Sequence, residues 1–158
     1  MWAASGSTVD GTSGPTRAAA SAGGLYPVES YLVADNVAGL DPGVYRYLWD
    51  DHALERLKAG RQLGRLRRAA LFQGAVSRAP AAVVIAADPA VTRRKYGERG
   101  VERYVHLDAG HAAQNVLLQA EALGLASVPI GAFTDNAVRR TLGIDIQPLY
   151  IIPVGRPQ

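Results

Sequence analysis

Hydrophobic and polar positions change period several times along the chain, and each change marks an element. Val28 to Ala34 (VESYLVA) predicts a strand. Gly43 to Asp50 (GVYRYLWD) predicts a second, and the tetrad DDHA turns it into a short hairpin partner, Leu54 to Lys58. Leu63, Leu66, Ala69, Ala70 and Phe72 form a helical stripe with arginines opposite. Ala81 to Ala87 (AAVVIAA) is a continuous apolar run, which predicts a strand buried on both faces. Asp88 is placed to cap a helix that Pro89 begins.

Glu98 to Leu125 predicts the longest helix, with Gly124 at its end. Its apolar residues fall on two faces, through Val101, Val105, Ala112 and Val116 and through Tyr104, Leu107, His111, Leu118 and Ala122. A helix apolar on so many sides is expected at the centre of the fold. Ser127 to Phe133 (SVPIGAF) reads as a strand running into a loop, Thr134 as the cap of a short helix, and Leu149 to Val154 (LYIIPV) as a last strand. Met1 to Ser5 resembles a final helical turn closed by Gly6, and Ser7 to Arg17 is polar and rich in Gly and Pro, a loop.

Strands and helices mix without strict βαβ alternation. The expectation is one α+β domain over residues 1–158, a small mixed or antiparallel sheet of about four or five strands around a long buried central helix. Composition agrees: 48% of the 158 residues are hydrophobic and 20% charged, ordinary for one globular domain. The absence of cysteine excludes disulfides, thiolate metal sites and cysteine catalysis. The net charge of +3 gathers largely in Arg61 to Arg68 and Arg93 to Arg103. Without interleaved aromatics or a helix-turn-helix pattern, these read as solvated helix faces and not as a nucleic-acid surface. No segment has the roughly 18 apolar residues of a membrane span, and the N-terminus lacks the form of a signal peptide. A cytoplasmic location is the default expectation.

Most familiar chemistry finds no support. His106 and His111 are five apart, about 140° around a helix, and cannot face one metal. They and His52 are read as structural, and no metal site is expected. There is no GxSxG elbow, phosphate-binding Walker loop or HExxH. What remains is a set of side-chain-poor stretches. SAGGLYP (Ser21 to Pro27) promises exposed backbone N–H groups, and SVPIGAF promises the same after a strand. KYGERG (Lys95 to Gly100) sets a lysine, a tyrosine and an arginine beside two flexible glycines. Gln114 and Asn115 place amides inside an apolar helix, where they need partners. Such surfaces suit a planar, hydrogen-bonding heterocycle, and a flavin fits that description.

SAGGLYPVE, LDPGVYRY, KYGERG, DAGHAAQNVLLQAEALGL, VPIGAF and PLYIIPVGRP, in this order over nearly the whole chain, resemble the SagB-type dehydrogenases. These are the azoline-oxidising branch of the FMN-dependent nitroreductase-like flavoproteins. The resemblance implies an α+β fold, a homodimer with FMN at the subunit interface, and oxidation of azoline rings in peptides by hydride transfer to the flavin. Other relatives are nitro or quinone reductases that use NAD(P)H, and that alternative stays open. By motif, Ser21, Ala22 and Gly24 would lie on the flavin from one subunit. Pro129, Ile130 and Gly131 would pass its other side, where a backbone N–H commonly faces N5. Asp108 would reach the flavin or the substrate. Lys95 and Tyr96 would be the acid/base pair.

The pattern departs in two places. Relatives begin earlier, with an Arg-x-Ser-x-Arg-like cluster that grips the FMN phosphate, and this chain starts at MWAASG. Arg156 is assigned as a substitute ligand, with Arg17 as another, though neither matches a phosphate ligand by motif. The proline that usually precedes SAGG is Ala20 here. These departures keep a third alternative open, a shortened non-catalytic homologue or partner subunit without stable FMN. The sequence shows no module for binding a leader peptide, so a peptide substrate would need a partner protein for recognition.

Overall fold

In the computed structural model, which describes residues 1–11 and 14–157, a six-stranded antiparallel sheet carries the molecule. Its strands are β3 (Val28–Ala34), β4 (Gly43–Leu48), β5 (Ala53–Ala59), β6 (Ala81–Ala87), β7 (Ala126–Ser127) and β8 (Gln147–Gly155). Their spatial order is β5-β4-β3-β6-β8-β7. The sheet is larger than the four or five strands expected, because β8 is long enough to pair with β6 and also to recruit Ala126–Ser127 and Ile130 at its outer edge.

β6 is the central strand. All seven of its residues are buried, as its unbroken apolar run requires. Its odd and even residues face two separate cores. Ala82, Val84 and Ala86 pack with α2 (Leu63–Ala69), α3 (Gly74–Arg78) and α6 (Asp135–Leu142). Val83, Ile85 and Ala87 pack with α1 (Trp2–Ser5) and α5 (Val105–Ala122).

Three further expectations change. Ser7 to Arg17 is a hairpin and not a loop: β1 (Ser7–Gly11) pairs with β2 (Gly14–Arg17) through Ser7 and Arg17, with Thr12 and Ser13 outside the described residues. Phe72 leaves the helical stripe. The chain turns at Leu71 and Phe72, both with positive φ (54° and 59°), and Phe72 is 61% exposed. Only one face of α5 is buried, through Val105, Ala109, Ala112, Val116 and Ala120, while Leu107, His111, Leu118 and Ala122 face outward. The long helix therefore covers one side of the sheet instead of running through the centre. Gln114 is exposed and is no buried amide. Asn115 is partly buried and donates from Nδ2 to the Ala3 and Ala18 carbonyls at 3.0 and 3.2 Å, tying α1 and the end of the hairpin to α5.

Candidate active site

The approach to β3 is a tight turn whose shape follows from its sequence. Ala22–Gly24 forms a single 3-10 turn, and Gly23 and Gly24 take φ of 62° and 65°, which favour glycine. Asp108, near the start of α5 and only 3% exposed, holds this turn from beneath. Its carboxylate accepts from the Ser21 hydroxyl at 2.6 Å and from the Ala22 N–H at 3.1 Å. The Ser21 hydroxyl accepts in turn from the Tyr26 N–H at 2.9 Å. The N–H groups of Gly24 and Leu25 bond to the Ser21 and Ala22 carbonyls. The expected row of exposed N–H donors is therefore mostly turned inward. Ser21 and Asp108 act as the scaffold of the turn, and the outer face that remains is the bare backbone of Gly24, where an added Cβ would meet nothing within 4 Å.

Lys95 and Tyr96 arrive at the same turn from α4 (Pro89–Tyr96). Asp88 caps this helix by accepting from the Ala90 N–H at 2.9 Å, with Pro89 at its first turn. Gly97 ends it with φ 60°, and Gly100 lets the next turn approach closely: a Cβ there would sit 2.7 Å from the Thr92 carbonyl oxygen. The chain continues through a π turn (Gly100–Tyr104) into α5. This path places the Lys95 Nζ 2.7 Å from where a Gly23 Cβ would be, and the Tyr96 hydroxyl also occupies that position. Gly23 is thus required twice, by its φ and by these two side-chain heads.

The Tyr96 ring meets Tyr104 edge-on at 4.9 Å between centroids, and the Tyr104 hydroxyl accepts from Arg99 Nε at 2.9 Å. The Lys95 Nζ lies 5.4 Å from the Tyr96 centroid. Tyr104 escaped the sequence reading as a site residue, and Arg99 was noted there without a partner. Their only signal was membership of the KYGERG neighbourhood.

Pro129, Ile130 and Gly131 are not brought to this turn within one chain. Ile130 pairs with Ile151 of β8 on the outer side of the sheet, about three strand spacings (~14 Å) from β3. The Ile130 N–H and carbonyl both bond to Ile151, at 2.9 and 3.0 Å. Proline has no N–H, so Gly131 is left as the donor of this segment, and an added Cβ there meets nothing within 4 Å. The next carbonyl, Ala132, accepts from Gln73 Nε2 at 2.8 Å, which joins the Leu71–Phe72 tip to this segment. Sequence reasoning missed Gln73 because the contact spans 59 residues.

Arg156 follows β8 on the same outer edge. It lines a cleft of about 640 Å³ with Arg78, Ser127 and Val128. The register of β6 on β8 puts this cleft at the opposite end of the sheet from Ser21–Gly24. The chain therefore carries two candidate half-sites, one of Ser21, Gly24, Lys95 and Tyr96 and the other of Gly131 and Gln73; the register leaves Arg156 about six residues (~20 Å) farther along the β8 edge, outside both. Among the described residues no group of His, Cys, Asp or Glu could hold a metal. His52 Nδ1 bonds the Tyr47 hydroxyl, and His111 Nδ1 bonds the Ala20 carbonyl.

A model of the nitroreductase family matches residues 1–156. A protein of Methanocaldococcus jannaschii named "Putative nitroreductase" is 45% identical over 136 residues, which cover 86% of this chain and 68% of the relative. Among solved structures, a nitroreductase of the same qualified description from Anabaena variabilis superposes with a TM-score of 0.88 at 29% identity, over 97% of this chain and 33% of its own. The E. coli microcin synthetase McbBCD complex, solved with truncated pro-MccB17 bound, contains a chain that superposes with a TM-score of 0.82 at 26% identity. That match covers 99% of this chain and 61% of the other. The chain thus spans a third of the Anabaena protein and less than two thirds of the microcin synthetase chain.

Proposed function

Because the chain belongs to the nitroreductase family, we propose that it is an FMN-dependent oxidoreductase whose site is completed by a second copy. The observation that carries this reading is the meeting of Lys95 and Tyr96 on Gly23, beside the open face of Gly24. The two half-sites support it. Each presents backbone without a covering side chain, at Gly24 and at Gly131, as a flat ring requires. They lie too far apart to serve one ring within a single chain. The outward stripe of α5, with Leu107 and Leu118 at 53% and 59% exposure, is a surface suited to a second copy. The residues present fit the ring of FMN: Ser21, Ala22 and Gly24 from one copy and Pro129, Ile130 and Gly131 from the other would hold it, and Arg156, farther along the β8 edge, would serve only its phosphate.

When bound, FMN supplies two-electron hydride chemistry. The chain's own residues supply the rest. Gly131 N–H is an oriented donor for charge that develops on reduction. Lys95 or Tyr96 holds and moves a proton at the turn. Asp108 fixes the turn and leaves the chemistry to its neighbours. The lysine–tyrosine pair favours azoline oxidation, which removes a ring C–H proton as well as a hydride, over simple nitro or quinone reduction. The likeness to a chain of the microcin synthetase complex with truncated pro-MccB17 bound supports the same choice.

The test begins with the absorption spectrum of the chain after FMN loading and desalting. Retained flavin bands support the reading, and a colourless folded protein favours a non-catalytic homologue. With flavin retained, Lys95→Ala and Tyr96→Phe are expected to abolish azoline oxidation and largely spare nitro reduction. Normal azoline oxidation by both variants would remove the acid/base assignment.

A further inference from the structure

Arg17, the last residue of β2, is the least explained charge in the molecule. Its guanidinium carbon lies 4.1 Å from the Trp49 ring centroid and 4.9 Å from that of Tyr26. Its backbone N–H donates to the Tyr26 hydroxyl at 3.3 Å, so the turn that carries the candidate site also fixes this arginine. Burial works against its charged form, and Tyr26, Glu29 and Asp50 only oppose that from a distance. Among the described residues no acceptor takes a hydrogen bond from the guanidinium, and none forms an ion pair with it. An arginine stacked on rings keeps its N–H edge free for a planar oxyanion.

That edge lines a cleft of about 260 Å³. The cleft passes Arg46 and Trp49 and reaches Asp88 and Val91 of α4, and Val91 is one helical turn before Lys95. The acids along it are already engaged. Glu29 accepts from the Tyr31 hydroxyl and pairs with Arg46 at 3.1 Å. Asp50 accepts from the Asp51 N–H, and Asp88 caps α4. Three carboxylates against two arginines leave the cleft unfavourable to a dianion, while the Arg17 edge still matches a single planar carboxylate.

We propose that Arg17 is the receptor for a carboxylate carried by the substrate, seated in this cleft, which ends at Val91 one helical turn before Lys95. The assignment of the ligand as substrate rests on the redox reading above. The carboxylate site itself does not, because it forms within one chain and is measurable with or without FMN.

The experiment is a calorimetric titration of the full chain with benzoate, its neutral analogue benzamide and inorganic phosphate, followed also by tryptophan fluorescence, since Trp49 touches the arginine. Benzoate is expected to bind at least tenfold more tightly than benzamide or phosphate. Arg17→Gln is expected to weaken benzoate at least tenfold, and Arg17→Lys to fall between. Equal binding of benzoate and benzamide to the unaltered chain overturns the proposal without any variant being needed. Tighter binding of phosphate overturns the choice of a carboxylate. Undiminished benzoate binding by a folded Arg17→Gln chain overturns the role of Arg17. A chain that retains FMN and ignores benzoate leaves the redox reading standing and removes only this site.

Discussion

The Ser21 hydroxyl donates a 2.6 Å hydrogen bond to the buried carboxylate of Asp108, across 87 residues of sequence. This bond joins the turn before β3 to the first turns of α5, and it decides how Gly23 and Gly24 are presented. The same carboxylate takes the Ala22 N–H, so one side chain sets both the position and the curvature of the turn.

Asp108→Ala is expected to leave the Ser21 hydroxyl and the Ala22 N–H without their partner. Each unsatisfied group costs about 1–3 kcal/mol, and a loss near the middle of that range is expected overall, because the turn can relax toward water. Urea unfolding measures it. Asp108→Asn should lose less, since the amide oxygen still accepts one bond. Wild-type stability in Asp108→Ala would mean the turn holds itself.

Gly23→Ala is expected to destabilise the chain by about 1–2 kcal/mol, through its positive φ and through collision with Lys95 and Tyr96. A smaller loss is expected when Tyr96→Phe is already present, since the colliding hydroxyl is then gone. A double-mutant cycle on unfolding free energies reads this coupling. Strictly additive effects would separate the two residues.

Gly131→Ala should be tolerated, because its Cβ has open space and no positive φ opposes it. Gly131→Pro removes the Gly131 N–H, which has no acceptor among the described residues. If that N–H faces the flavin, the rate of flavin reduction falls by roughly a hundredfold in the proline variant and stays near normal in the alanine variant. Circular dichroism separates this from unfolding.

Leu118→Arg places a charge in the outward apolar stripe of α5, where Leu118 is 59% exposed. The variant should fold normally and lose self-association by light scattering. On the proposed reading flavin retention should fall with it, because FMN would then be shared between two copies. A variant that remains dimeric would place the interface elsewhere.

Much of the local structure was legible from residue pattern. Val28–Ala34 and Ala81–Ala87 are the strands their sequences predict, and Asp88–Pro89 begins α4 as expected. Strand alternation, continuous burial and helix capping are short-range effects, so neighbouring residues suffice to reveal them. The hairpin at Ser7–Arg17 was hidden because Gly and Pro there read as loop signals, while the pairing partner decides. The burial of α5 was misjudged for a related reason. Its second apolar face looks like core in the sequence, and only the sheet's position shows that no described residue of this chain covers it.

The candidate site divides in the same way. The sequence by itself determined the residue types: the SAGG turn, the lysine–tyrosine pair, and the glycine after Pro129–Ile130. Tertiary structure alone decided their partners. Asp108 turned out to be the anchor of the turn, Ile130 spent its backbone groups on Ile151, and Arg17 was left stacked on Trp49 without an acceptor among the described residues. Backbone conformation is set mainly by adjacent residues, whereas the satisfaction of a buried polar group depends on whichever distant atoms the fold brings within about 3 Å.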